Sequence, residues 1–278
     1  MSDPAVAIER HYGRGGLLDR ILAALQEAGK DVANLSIDDL APIDELHSRR
    51  RQATRDLAGM LAPKTAEHVL DIGSGLGGPA RYLAQVHGCR VTGIDLTAEF
   101  VTTAADLTRR AHLGDRVAFQ QASALDLPFP DASFDHAWSQ NVAMNIADRP
   151  RYYAEMRRVL KPAGRLAIQD VAQGPGGIPH YPVMWADTPA TSFLRTPEET
   201  RALLEAAGFQ VLAWQDNTDT ALAETQAQRA GAAASGANQP ILGVHVVVGP
   251  TFWDKARNGN RNMRENRIRL INAVLSRN

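Results

Sequence analysis

Asp71 closes an apolar run, the glycine-rich stretch Gly73-Ser74-Gly75-Leu76-Gly77-Gly78 follows at once, and Asp95 ends the next apolar run. Glycines directly after a strand let the backbone turn tightly and touch a ligand. Their spacing satisfies G-x-G-x-x-G, which by itself is weak evidence for a dinucleotide pyrophosphate. Asp71 argues against that ligand. A carboxylate inside the strand end repels a pyrophosphate but suits a ligand carrying an amine and a sulfonium. Asp95, about twenty residues beyond the loop, can accept both hydroxyls of a ribose, a group common to both kinds of ligand. The loop also lies behind a long helical N-terminal stretch, whereas many dinucleotide folds begin near the start of the chain.

Other side chains able to do chemistry stand outside this stretch. His180, Tyr181 and Trp185 fall in "GGIPHYPVMWADTPATSF". That segment leaves the carboxyl end of a strand, where ligands bind in open α/β sheets, so these three are candidates for a substrate pocket, His180 also as a catalytic group. Asp170, at the end of the strand before it, could take a proton or stabilise a cation. His11 and Tyr12 precede "GRGG", and Tyr12 is a candidate lid residue. The run Arg49-Arg50-Arg51 reads as a solvated helix face, and His245 as a core or surface histidine.

These residues must be positioned by the elements around them. Short apolar runs suited to buried strands occur at 68–72, 90–95, 117–122, 134–139, 165–171, 209–215 and 241–248. Amphipathic stretches at 78–86, 98–111, 151–160 and 197–207 alternate with them. This alternation predicts a doubly wound, mainly parallel α/β sheet. Thr196, Pro197 and Glu199 form a capping-box start for the last of these helices, and Gly208 stops it. Residues 1–61 form a helical region before the core, which occupies 62–250, with inserts at 172–195 and 218–240; "GAAASGANQP" reads as a loose loop. Residues 251–278 carry seven basic residues against Asp254 and Glu265, and Ile268, Leu270, Ile271, Val274 and Leu275 recur at helical spacing, which predicts a C-terminal helix.

Composition excludes several classes. A net charge of −1 over 278 residues provides no field for nucleic acid. One cysteine, Cys89, excludes an intrachain disulfide and a cysteine-rich metal site, and no metal is expected. No apolar run approaches the roughly 18 residues of a membrane span, and the first ten residues lack a signal-peptide core. A soluble, cytoplasmic protein without membrane or nucleic-acid partners is expected.

Taken together and in order, the motifs resemble those of class I S-adenosylmethionine (SAM)-dependent methyltransferases. "VLDIGSGLGG" is similar to the family's first motif, "VTGIDL" to its second, "ALDLPFPDASFDHAWSQNVAMNI" to the third and fourth, and "RVLKPAGRLAI" to the turn into the fifth strand. The resemblance implies a Rossmann-like seven-stranded sheet whose last strand is antiparallel, for which "ILGVHVVVG" is suitable, with a helical N-terminal lid and inserts. It also implies a cofactor map. Asp71, Gly73 and Gly75 face the methionine part of SAM, Asp95 holds the ribose, Leu96 lies against the adenine, Ser123, Ala124 and Leu125 meet the adenine edge, and Gln140 lies near the methionine end. Many relatives carry Asp where this chain has Ser123. "IDELHSRRRQATRDLAGML" is similar to the helix that precedes the core in phosphoethanolamine- and tocopherol-type enzymes, where a Ser-Gly-Gly turn covers the cofactor; here Ser48-Arg49-Arg50 replaces it.

The expected reaction is methyl transfer to a small-molecule metabolite, as N- or O-methylation. Small-amine methylation of the sarcosine or dimethylglycine kind is one label the resemblance carries. The alternatives are C-methylation of a prenyl diphosphate or other carbon acceptor, non-methylating chemistry such as cyclisation on the same fold, and, more remotely, an NAD(P)-dependent oxidoreductase. In phosphobase relatives a His after the fourth strand pairs with an N-terminal Tyr; here that position is Asn145, which argues against that dyad and substrate. Arsenic methylation needs several thiols. No fixed catalytic signature is found, and in-line transfer requires none: the nucleophile must be aligned and water excluded, with a base only for a protonated acceptor. A monomer or homodimer is expected.

Overall fold

The alternating apolar runs pair into one seven-stranded sheet in the computed structural model, which describes Tyr12, residues 15–235 and residues 240–278. His11, and residues 236–239 of the "GAAASGANQP" loop, lie outside the described residues. Among the described residues three helices come first: α1 (Leu17–Glu27), α2 (Ile37–Asp44) and α3 (Arg50–Leu61). The core follows as β1 (His68–Ile72), α4 (Gly78–Tyr82), β2 (Arg90–Asp95), α5 (Ala98–Arg110), β3 (Val117–Gln121), β4 (Phe134–Gln140), α6 (Arg149–Val159), β5 (Leu160–Gln173), α7 (Pro197–Ala206) and β6 (Phe209–Asp216). The chain ends with α8 (Thr218–Ser235), the single turn α9 (His245–Val248), α10 (Phe252–Arg264) and β7 (Ile268–Arg277).

The spatial order is β3-β2-β1-β4-β5-β7-β6. The first five strands are parallel, and β7 runs antiparallel to both β5 and β6. The order reverses at β1, where β2 lies on one side and β4 on the other, so the ends of β1, β2 and β4 frame a crevice. Adjacent residues of β1 feed opposite faces, as the pleat requires: Leu70 and Ile72 join one core layer with Tyr152 and Leu204, and Val69 joins the other with Leu57 and Leu83.

Two elements differ from the sequence expectation. The antiparallel strand is 268–277, not 241–248, and 251–278 is therefore not one helix: its first half is α10 and its second half is β7. The physical reason is burial on both faces. An inner strand between β5 and β6 reads as a nearly continuous apolar run, which periodicity alone cannot separate from a buried helix. "ILGVHVVV" instead forms α9 after a turn at Gly243, and Val247 packs with the first two helices.

The N-terminal helices are docked rather than loose. Leu17, Ile21, Leu25, Leu40 and Ile43 form a core with Leu76 of the glycine loop and Phe100 and Leu107 of α5. A capping box between Ser36 and Asp39 starts α2, and the one expected between Thr196 and Glu199 starts α7. Residues 172–195 pack as their own small core, with Val183, Trp185 and Ala186 against Met144, Leu270 and Ala221. Among the described residues no helix is long and apolar enough to cross a membrane.

Candidate functional site

A cavity of about 400 Å³ opens over the crevice at the ends of β1, β2 and β4, within the usual range for small-ligand sites. Its floor is the glycine loop. Gly73 sits at φ 74°, and a side chain there would run into Val142. The Gly73 and Ser74 amides both donate to the Ile94 carbonyl at 2.8 Å, which pulls the loop tight across β2. Asp95 then fixes the turn: its carboxylate accepts from the Gly75 amide at 2.9 Å and from the Thr97 amide at 2.9 Å.

The floor is acidic and incompletely satisfied. Asp71 Oδ2, Ser74 Oγ, Asn141 Oδ1 and Asp44 Oδ1 are buried without a hydrogen-bond partner, and all four residues line the cavity. Buried acceptors of this kind cost free energy unless a ligand supplies donors. Burial, and then the neighbouring charges of Asp95 and Glu45, push the Asp71 carboxyl up to about 8. Burial also raises Asp95, against the pull of the Thr97 and Gly75 amides.

The side walls come from three regions. Leu96, Ser123, Ala124 and Leu125 line one end. Ser123 Oγ accepts from the Leu125 amide at 3.2 Å, so it braces its own turn. Gln140 lines the cavity and is held by Trp138 Nε1 at 2.9 Å, by Gln169 at 2.6 Å and by Thr54 at 3.5 Å. At the far wall Tyr12 donates to Asn145 Oδ1 at 3.2 Å, and Asn145 donates to the carbonyls of Trp185 and Thr191. The Tyr–His pair expected of phosphobase enzymes is thus replaced by a Tyr–Asn pair in real contact. Burial, with Asp95 and Asp187 nearby, raises the Tyr12 phenol far above its usual range, and the Asn145 amide does not titrate.

Twelve of the residues singled out in the sequence therefore border one cavity: Tyr12, Asp71, Gly73, Gly75, Asp95, Leu96, Ser123, Ala124, Leu125, Gln140, Asn145 and Trp185. Four do not. His180 is turned to α10: its Nε2 pairs with Glu265 at 2.7 Å, and Asn262 clamps its backbone amide and carbonyl. It is no catalytic candidate. Tyr181 packs against the Val183 and Trp185 core behind the wall. Asp170 is buried below the cavity, where it accepts from the Ala143 amide at 3.2 Å and so holds the loop after β4; burial raises it to about 6. Ser48 is replaced at the cavity surface by His47, while its carbonyl accepts from Gln169. The turn it belongs to still has the shape that glycines give, since Arg49 (φ 63°) and Arg50 (φ 45°) are both left-handed. Arg49 is held there by Glu224 and Asp56.

Sequence reasoning missed Asp44, Leu46, His47, Met184, Val247, Val248 and Lys255, all of which line the cavity. Asp44 pairs with the fully buried Arg81 at 2.7 Å, and His47 pairs with the buried Glu45, which also holds Arg51 and Thr54. An acid at the end of α2 had no motif to announce it. Lys255 was one of seven basic residues on a stretch read as a C-terminal helix.

Residues 70–168 match the family described as a methyltransferase domain. A 27-O-demethylrifamycin SV methyltransferase of Amycolatopsis mediterranei (strain S699) is 38% identical over 143 residues, covering 51% of this chain and 52% of the relative. The chain thus spans about half the length of the first curated relatives it matches. A sarcosine/dimethylglycine N-methyltransferase of Halorhodospira halochloris is 29% identical over 220 residues, covering 78% of this chain and 77% of the relative. The solved geranyl diphosphate C-methyltransferase of Streptomyces coelicolor A3(2) superposes over 100% of this chain and 99% of its own, with a TM-score of 0.73 at 17% identity, which is a likeness of fold. Residues 70–168 thus resemble a methyltransferase domain, and the whole chain shares the fold of a solved methyltransferase.

Proposed function

We propose that this protein binds SAM on the glycine loop and transfers its methyl group to a small-molecule acceptor, at oxygen or nitrogen. The observation that carries this reading is the set of buried acceptors without partners at the cavity floor, above all Asp71 Oδ2 and Asn141 Oδ1. They fit a cofactor that brings an ammonium and a sulfonium, and they oppose a pyrophosphate. Asp71 and the loop of Gly73 and Gly75 would hold the amino-acid end, Asp95 the ribose, and Leu96 with 123–125 the adenine. Bound there, the cofactor supplies an electrophilic methyl.

The chain's own part is alignment and exclusion of water. Tyr12, Asn145, Met144, Met184 and Trp185 form a wall that orients an acceptor with substantial apolar surface. The region 1–61 acts as a lid over the core, with 172–195 as the opposite wall. Relatives named as a 27-O-demethylrifamycin SV methyltransferase and a sarcosine/dimethylglycine N-methyltransferase support both acceptor atoms, and the apolar wall favours an acceptor with apolar surface. In this reading the protein acts in the cytoplasm, as a monomer or homodimer, on a diffusible acceptor.

The test is calorimetric titration with SAM, S-adenosylhomocysteine and NAD, followed by transfer of labelled methyl from SAM to a panel of phenols and amines. Tight binding of the first two and none of NAD is expected. Failure of SAM to bind the folded protein overturns the proposal.

A further inference from the structure

Acidic residues outnumber basic ones in the cavity. Asp44, Asp71, Asp95 and Asp148 line it, and among the described lining residues Lys255 is the one lysine or arginine. Lys255 lies on α10, outside the parallel core, with its side chain 1% exposed. Long cationic side chains normally keep their head group in water, so a buried lysine at a cavity surface needs an account.

Its ion-pair partner supplies part of one. Asp187, at 2.9 Å, is 60% exposed. It follows Met184 and Trp185, two residues of the acceptor-side wall. The cation is therefore buried while its carboxylate faces solvent, and solvent weakens the pair. An anionic group entering the cavity would meet Lys255 from the dry side, where charge attraction is stronger. It would compete with the hydrated carboxylate of Asp187. The position also fits the acceptor. Tyr12, whose hydroxyl bonds Asn145, lines the same cavity as Asp95, Trp185 and Lys255.

Resting on the methyltransferase reading above, we propose that Lys255 is the acceptor-anchoring cation, so that the acceptor is a largely apolar molecule bearing an anionic oxygen group, such as a carboxylate or an ionised acidic hydroxyl. Lys255 selects the substrate and holds it in register; it does not touch the transferred methyl. Asp187 tunes the site by competing for the same ammonium.

Benzoate and its neutral isostere benzamide are suitable probes, titrated into protein saturated with S-adenosylhomocysteine. Benzoate should bind with a millimolar dissociation constant and benzamide at least about tenfold more weakly. Lys255→Met should abolish the preference, and Lys255→Arg should keep it. Asp187→Asn, at an exposed position that leaves folding intact, should tighten benzoate about threefold or more by removing the competitor. A lysine that merely ties α10 to the 172–195 segment would give no preference between the probes and no gain in Asp187→Asn. Equal binding of the two probes, no benzoate binding up to about 50 mM, or a preference surviving in Lys255→Met overturns the proposal. So does a tenfold loss of S-adenosylhomocysteine affinity in Lys255→Met, which would place the ammonium at the cofactor's own carboxylate. If S-adenosylhomocysteine does not bind the wild-type protein, it is the underlying methyltransferase reading that fails.

Discussion

Asp71 carries a proton near neutral pH because burial and two neighbouring acids oppose its charge. Two outcomes follow, and they point in opposite directions. A bound cation favours the carboxylate, so SAM binding should release a proton below about pH 8, and affinity should rise with pH toward that value. Calorimetry in buffers of different ionisation enthalpy measures the release; Asp71→Asn should abolish it and weaken binding. For folding the sign reverses. The native carboxyl is pushed up to about 8 from its ordinary 3.8, so the native state holds the proton more tightly and stability falls as pH rises through that window. Ligand-free Asp71→Asn should therefore melt higher than wild type at pH 8, with the gap closing toward pH 4. Asp95 is a different case. Its carboxylate organises Gly75 and Thr97, so Asp95→Ala should cost roughly 1.5–3 kcal/mol of SAM affinity and loosen the loop as well. Unchanged affinity in a folded variant would remove Asp95 from the site.

At the scale of elements, the N-terminal helix α2 is fastened to α4 by the buried Asp44–Arg81 pair and by close approach at Gly78. A methyl group on Gly78 would stand 2.7 Å from the Asp44 carbonyl. Gly78→Ala should cost about 1–3 kcal/mol through overpacking. Arg81→Met leaves Asp44 buried and unpaired and should cost about 3–5 kcal/mol, much of it recovered in the double variant with Asp44→Leu; urea unfolding measures all three. The capping box at Thr196 was legible because its partner, Glu199, is three residues away, and the glycine loop with Asp95 because each closes its own apolar run. The Arg49 turn was not. Its left-handed residues are stabilised by Glu224, far along the chain, and a sequence motif built on glycine cannot show a conformation held by an ion pair. His180 failed for a related reason: it occupies the right segment, but Asn262 and Glu265 on another element decide which way it faces.

For the whole molecule, the parallel half of the sheet was readable because each strand is followed by its own helix. The antiparallel half was not, because β7 takes its meaning from β5 and β6 rather than from its own periodicity. It pairs with β5 from Ile268 to Ser276 and with β6 from Ile271 to Arg277. Deleting 251–278 should thus abolish cooperative folding, whereas loss of a surface helix would leave it intact; circular dichroism and a thermal melt distinguish these. The same placement sets an order of events during synthesis. β5 and β6 have no contact as neighbours until β7 enters between them, yet Ile268 leaves the ribosome some fifty residues after Asp216, roughly 3–10 s later at about 5–20 residues per second. Throughout that interval the nascent chain exposes the open edge of β5, so chaperone capture, and not the speed of the last pairing, should govern how much of the protein is recovered from a cell.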